Sequence, residues 1–293
     1  MEIHQLRYFV KVAELCQFTR AAKACHVSQP SLSQAIAKLE RDLGQPLFER
    51  LGRTVRLTDA GRAFRARATH ILALLDDARA SVADDPDAGR VTVAAIPTVA
   101  PYLLPTALTA FARECPQAQV EVVEETTDRI LTLAAHGEID LAVMATPVSQ
   151  PGWHVEPLVT EDLLAVLPAG HPLAAKAKVT MKELSAERFV LLNEAHCLTG
   201  ATLSFCTRRG VGPVMTARMH QLTTVLELVR LGHGVSLVPA MAARADTSPG
   251  RVYRPIAGEK PTRTLAVVWN THRYQTLLAK RFVQVLRQSC EGW

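Results

Sequence analysis

The chain has 293 residues, with 33 Lys and Arg against 28 Asp and Glu, a formal excess of +5, and six cysteines. That length exceeds one small domain and sets an expectation of two or three units. No apolar run approaches the ~18–20 residues of a membrane span, and MEIHQLRYFV lacks a signal-peptide core, so the expected compartment is the cytoplasm, where structural disulfides are rare.

The first informative stretch is Phe18 to Arg50. Phe18 and Thr19 open a short helix, with Thr19 as its N-cap. Ala21, Ala22, Ala24 and Cys25 are small enough to let a second helix cross closely. His26 and Val27 form a turn, Ser28 caps the next helix, and Pro30 sits in its first turn, where a missing N–H costs nothing. Leu32, Ile36, Leu39 and Leu43 then mark one buried face. The opposite face carries Gln29, Ser31, Ser33, Gln34 and Lys38, short or flexible polar groups suited to base edges and phosphates. Two extended runs around Gly52 read as a hairpin wing carrying Arg50, Arg53 and Arg56. Solvated polar residues would give the same composition, but charge favours DNA. Residues 1–65 hold 11 basic against 6 acidic residues, and the remainder balances at 22 against 22. The whole excess lies on the helix-turn-helix region, as expected of a phosphate-binding module on a neutral body.

From Thr58 to Val82 the sequence predicts one long helix. Ala60, Phe64, Ala68, Ile71, Leu72, Leu75, Ala78 and Val82 form a stripe of helical period. Such a stripe needs cover, and the same helix of a second subunit would supply it, so a homodimer through this helix is expected, with packing back on its own domain as the alternative. Residues 83–90, acidic with Pro and Gly, read as a hinge. A βαβαβ pattern follows: strands at 91–96, 120–124 and 141–144, and helices at 101–113 and 128–136. A second α/β set has strands at 163–167, 189–192 and 235–239 and helices around 202–209 and 223–231. A strand at 265–269 and a helix at 275–290 close the chain. The expected fold class is α/β: an N-terminal winged helix-turn-helix, a long linker helix and a two-lobed, periplasmic-binding-protein-like effector domain. The expected boundaries are 1–58, 59–89 and 90–293, with lobe I at 90–162 and 264–293 and lobe II at 163–263. A ligand then belongs in the interlobe cleft, near strand carboxyl ends.

The segments AAKACHVSQPSLSQAIAKLERDLGQPLFER, RLTDAG (56–61), GEIDLAV (137–143) and LGHGVSLVPA (231–240) resemble the LysR-type transcriptional regulators over the full chain. IPTVAPYLLP (96–105) and EAHCLTGATLSFC (194–206) are similar to the peroxide-sensing, OxyR-like branch of that family. The resemblance implies a redox switch of His196, Cys197 and Cys206, with Thr98 and Thr127 contacting peroxide and Arg263 near the site. The expected partners are double-stranded promoter DNA, further copies of the chain as homodimer and homotetramer, and RNA polymerase. Hydrogen peroxide is the effector, and no cofactor, metal or membrane is involved.

The residues themselves carry a compatible chemistry. Cys197 lies beside His196 and before a predicted helix whose N-terminal dipole favours a thiolate. Attack on peroxide gives a sulfenic acid, and a thiol at Cys206 converts that to a disulfide. On one continuous helix, residues nine apart are ~13.5 Å apart, whereas a disulfide needs Cα atoms within ~7 Å. The pair therefore requires the segment to unwind if Cys206 lies on that helix, and Gly200 would ease this. Cys16, Cys25, Cys115 and Cys290 read as small buried apolar residues. Cys16, Cys25 and His26 lack a tetrahedral metal set. Two alternatives stay open. One is a regulator of the same family binding a small organic acid in the cleft through Thr98, Thr127 and the 196–199 backbone. The other is a cysteine peroxidase, which the DNA-binding module and the lack of a reductant site oppose.

Overall fold

The computed structural model describes all residues except 52–53, 83, 149–150, 193–197, 199, 201–213, 220 and 292–293, and gives only the backbone of 50–51 and 214–218. The chain divides into two units, Met1–Asp84 with Leu133–Glu138, and Asp85–Thr132 with Ile139–Trp293. Among the described residues no helix is long and apolar enough to cross a membrane.

The first unit opens with a helix that the sequence reading had passed over, α1 (Ile3–Leu15), whose Leu6, Phe9 and Val12 are buried. Next come α2 (Phe18–Ala24) and α3 (Gln29–Leu43). Gln17, not Thr19, occupies the N-cap of α2, and Thr19 is an exposed residue within the helix. Ala21 and Ala22 are buried as the close crossing requires, whereas Ala24 is exposed. His26 takes the turn at φ 55°. Ser28 caps α3, its hydroxyl accepting from the Ser31 N–H at 3.2 Å. Leu32, Ile36 and Leu39 are buried, but Leu43 is 37 % exposed, since it sits one residue before the left-handed Gly44 that ends the helix.

The wing pairs β1 (Phe48–Leu51) with β2 (Thr54–Leu57), with Arg50 opposite Val55. Glu40 ties α3 to it, accepting from the Leu47 and Phe48 N–H groups at 2.8 and 3.2 Å. The linker helix α4 (Asp59–Ala80) is capped by Thr58, which accepts from the Gly61 N–H at 2.9 Å. Gly61 lies so near the wing that a Cβ there would stand 2.1 Å from the Leu47 carbonyl oxygen, so only glycine fits. The apolar stripe of α4 splits. Ala60, Phe64, Ala68 and Leu72 pack on the core of their own unit with α1, while Ile71, Leu74 and Val82 stay exposed. The large apolar residues left exposed thus lie in the C-terminal half of the helix and just beyond its end.

In the second unit β3 (Ala88–Ala95) begins inside the segment read as a hinge. It is followed by α5 (Ala100–Glu114), β4 (Gln117–Glu124), α6 (Thr127–Ala135) and β5 (Leu141–Ala145). β3 lies between β4 and β5, parallel to both. β6 is a single strand from Trp153 to Pro168, far longer than the 163–167 expected. Its first part pairs antiparallel with β11 (Thr262–Asn270), from Trp153↔Asn270 to Asp162↔Thr262. From Leu163 onward it pairs with β9 (Ser236–Pro239) and β10 (Arg251–Arg254). One strand therefore serves two lobes, and the antiparallel pairs of β6 and β11 make the sheet mixed, while β3, β4 and β5 of the βαβαβ pattern are parallel.

The second lobe also holds α7 (Met181–Leu184), β7 (Arg188–Leu192), the unexpected β8 (Val214–Met219), α8 (Leu222–Arg230) and the short α9 (Ala240–Ala245). The C-terminal helix α10 (Leu277–Cys290) buries Phe282 against Phe111 of α5, at a ring-centroid distance of 4.9 Å. The helix expected at 202–209 lies outside the described residues.

The second lobe is pinned by a half-buried acid. Asp246 accepts from Arg251 Nε at 2.6 Å, from the Ser248 N–H at 3.1 Å and from the Tyr253 hydroxyl. The Arg251 guanidinium is the main cause holding the Asp246 carboxyl at about 2. A carboxyl depressed on folding adds stability above its ordinary value of ~3.9, and that share disappears as pH falls towards 2. We expect Asp246→Asn to be about 2 kcal/mol less stable than wild type at pH 7, with the gap closing between about pH 4 and pH 2. Thermal melts of both proteins across that range check this, and a pH-independent gap would show that Asp246 acts by packing alone.

Candidate functional site

Two surfaces carry the sequence-predicted residues. On α3, Gln29, Ser31, Gln34 and Lys38 are exposed and Ser33 is half-buried, opposite the buried Leu32, Ile36 and Leu39. The Ser31 hydroxyl lies 2.7 Å from that of Ser28, so it is partly held in the helix cap. Arg56 is exposed on β2, the backbone of Arg50 lies on β1, and Arg53 lies outside the described residues. A polar helix face beside a basic hairpin suits groove and phosphate contacts.

The second surface is in the effector unit. β3 and β4 end side by side, with Ala95 paired to Glu124. Thr98 and Thr127 each lie three residues beyond those ends. Parallel strands place ligands just outside their carboxyl ends, and both hydroxyls are at that edge. Thr98 is 1 % exposed. Its Oγ1 accepts from Arg263 Nη1 at 2.8 Å and its carbonyl accepts from Nη2 at 3.0 Å. A guanidinium has no acceptor, so the Thr98 hydroxyl hydrogen must point to another group. The Thr127 hydroxyl is buried and has no partner among the described residues. Buried polar atoms of this kind call for an explanation, and a bound polar ligand is one.

Arg263 lies against Thr98, with its guanidinium engaged by protein groups. It is buried, and its charge is matched by Glu161, its cross-strand partner, through Nε to Oε1 at 2.9 Å. It also reaches Met241 Sδ at 3.6 Å. The geometry makes it a clamp on Thr98. Glu161 and Met241 were missed by sequence reasoning. A signal for Glu161 did exist, because it falls on the buried parity of β6 with Leu163, Ala165 and Leu167. Tyr102 of α5 packs against the second-lobe cluster of Val190, Leu192, Leu198 and Val225, and burial raises its hydroxyl pKa.

His196, Cys197 and Cys206 lie outside the described residues. Leu198, next to Cys197, is buried in that same cluster. Of the other cysteines, Cys115 and Cys290 are buried as expected, and burial pushes the Cys290 thiol up to about 11. Cys25 is half-buried, and burial likewise raises its pKa. Cys16 contradicts the expectation. It is exposed, because it caps α1 in the left-handed conformation at φ 51° and points away from the core.

Comparison with known proteins assigns both units. Residues 3–62 match the bacterial regulatory helix-turn-helix protein, lysR family, and residues 84–291 match the LysR substrate binding domain. The chain is 39 % identical over 245 residues to a probable hydrogen peroxide-inducible genes activator of Mycobacterium leprae, covering 83 % of this chain and 79 % of that one. It is 33 % identical to the DNA-binding transcriptional dual regulator OxyR of Escherichia coli, over 100 % of this chain and 97 % of that one. Full-length OxyR from Pseudomonas aeruginosa superposes with a TM-score of 0.81 at 32 % identity, covering 99 % and 95 % of the two chains. These relatives are regulators, not enzymes. The chain belongs to the LysR family of bacterial transcriptional regulators, on its OxyR-like branch.

Proposed function

We propose that the chain is a cytoplasmic, DNA-binding regulator that senses hydrogen peroxide at Cys197, with Cys206 as the resolving thiol. The observation that carries the reading is the Thr98 hydroxyl, buried at the strand edge and obliged by Arg263 to act as a donor. A thiolate that attacks peroxide forms an S–O bond and breaks the O–O bond. Sulfur is oxidised to the sulfenic acid and the distal oxygen leaves as hydroxide, which takes a proton to become water. Preset donors at that oxygen lower the barrier. Thr98 and Thr127 are the donors and His196 carries the proton. The sulfenic acid then condenses with the Cys206 thiol, forming S–S and releasing water. Peptide mapping after stoichiometric peroxide tests this. A 197–206 linkage is expected, and unmodified thiols would favour instead an organic acid held by the same threonines.

The α3 face, with Arg50, Arg53 and Arg56, reads promoter DNA. Gln29→Ala and Ser33→Ala are each expected to weaken operator binding by about 1–3 kcal/mol, the worth of one good base contact, with the fold unchanged. Unaltered operator affinity in both would move recognition elsewhere.

Self-association runs through the exposed half of α4 and builds a dimer and then a tetramer, with RNA polymerase as a further partner. Ile71→Asp and Leu74→Asp lie outside the winged-helix core and test the interface without disturbing that core. Light scattering should then show smaller species, because a charge placed in an apolar contact is strongly unfavourable. Retention of the native size would assign assembly to the effector unit.

A further inference from the structure

We propose that Glu161 is a positioning residue of the sensing site, acting through Arg263 to fix Thr98 as a hydrogen-bond donor. The proposal deepens the peroxide-sensing reading and rests on it. Glu161 and Arg263 are 6 % and 4 % exposed and face each other across β6 and β11. Glu161 is held on both oxygens. Oε1 takes Arg263 Nε at 2.9 Å, and Oε2 takes the Met241 N–H, near the start of α9, at 2.9 Å. The carboxylate therefore cannot swing. The guanidinium is held in the plane that delivers Nη1 to the Thr98 hydroxyl and Nη2 to its carbonyl. The chain of constraint runs from a carboxylate that only accepts, through a cation that only donates, to a hydroxyl left with one role.

A neutral amide at position 161 breaks this logic. Both groups facing the Glu161 oxygens, Arg263 Nε–H and Met241 N–H, are donors, so an amide NH2 in Glu161→Gln must confront one of them. The guanidinium loses its fixed orientation, and the Thr98 hydroxyl is then free to turn and accept. Only chemistry that expels an oxyanion registers the change. Peroxide attack releases hydroxide and needs a donor, whereas alkylation of the same thiolate by iodoacetamide releases iodide and needs none. The ratio of the two rates at Cys197 cancels any change in thiolate population.

The test measures both second-order rates at the Cys197 peptide in the full chain. In Glu161→Gln the peroxide-to-iodoacetamide ratio should fall about tenfold or more, as expected on losing a positioned donor. Glu161→Asp, which keeps the charge but not the span, should fall less. In a Thr98→Val background, Glu161→Gln should add almost nothing, because both act on one hydroxyl. An unchanged ratio in Glu161→Gln, or full additivity with Thr98→Val, would overturn the proposal. If Glu161→Gln does not fold, an unchanged ratio in Glu161→Asp overturns it equally. A wild-type Cys197 inert to peroxide would instead overturn the sensing reading, and this proposal with it.

Discussion

Cys197→Ser is expected to hold the protein in one DNA-bound state whatever the peroxide concentration. Serine keeps the size but not the nucleophile, since its hydroxyl does not ionise near neutral pH as a thiol does. Reduced-state operator binding should persist, while the peroxide-dependent change in footprint should vanish. Cys206→Ser should behave otherwise. Cys197 can still form the sulfenic acid, which then lacks an internal partner and persists or proceeds to the sulfinic acid. A sulfenate-specific reagent should label Cys206→Ser and not Cys197→Ser. The remaining thiols do not supply a substitute. Cys115 and Cys290 are buried, and Cys16 and Cys25 belong to the DNA-binding unit. A footprint that still responds in Cys197→Ser would refute the assignment of the reacting thiol.

Arg263→Met should carry a large stability loss in the effector unit. Among the described residues it leaves the buried Glu161 carboxylate with the Met241 N–H alone as partner. Breaking a buried pair in this way costs about 3–5 kcal/mol, a large share of the ~5–15 kcal/mol that holds a domain. Removing both charges in Glu161→Leu/Arg263→Met should recover much of the loss, because two apolar groups then replace a satisfied pair. The three tryptophans are Trp153, Trp269 and Trp293, all in the effector unit, so denaturant unfolding followed by their fluorescence reads that unit selectively. A double variant as unstable as the single would mean that Arg263 contributes mainly through Thr98.

The winged helix was legible because local chemistry dictates it. Ser28, Pro30 and Gly44 mark the start and stop of α3, and Leu32, Ile36 and Leu39 set its buried side at helical spacing. α1 carried a signal of the same kind in Leu6, Phe9 and Val12, overlooked because its N-cap is Glu2 rather than a short hydroxyl. Thr58 likewise announced α4, but only tertiary packing decides that Leu72 turns to its own domain while Ile71 and Leu74 do not. β6 was read at a third of its length, since only Leu163–Leu167 is continuously apolar and Trp153–Asp162 alternates weakly. β10 was missed because all four of its residues are half-buried and two are arginines. At the site, family motifs pointed to Thr98, Thr127 and Arg263. That Arg263 is neutralised by a residue 102 positions earlier in the chain is set by strand register, which no local pattern encodes.

The order in which the chain is made adds a consequence of the β6–β11 pairing. β5 and the first part of β6 acquire their shared neighbour only when Thr262–Asn270 has been synthesised, and α10 follows later still. The DNA-reading unit needs little beyond residue 84. Domains fold from the N-terminus as they emerge, and long-range pairings come last. A growing chain therefore carries a finished head while its sensor is an open sheet with an unpaired edge. Such an edge is an invitation to a neighbouring chain, so the risk of misassembly falls on the sensor, and nearly the whole chain must be made before that edge can be sealed.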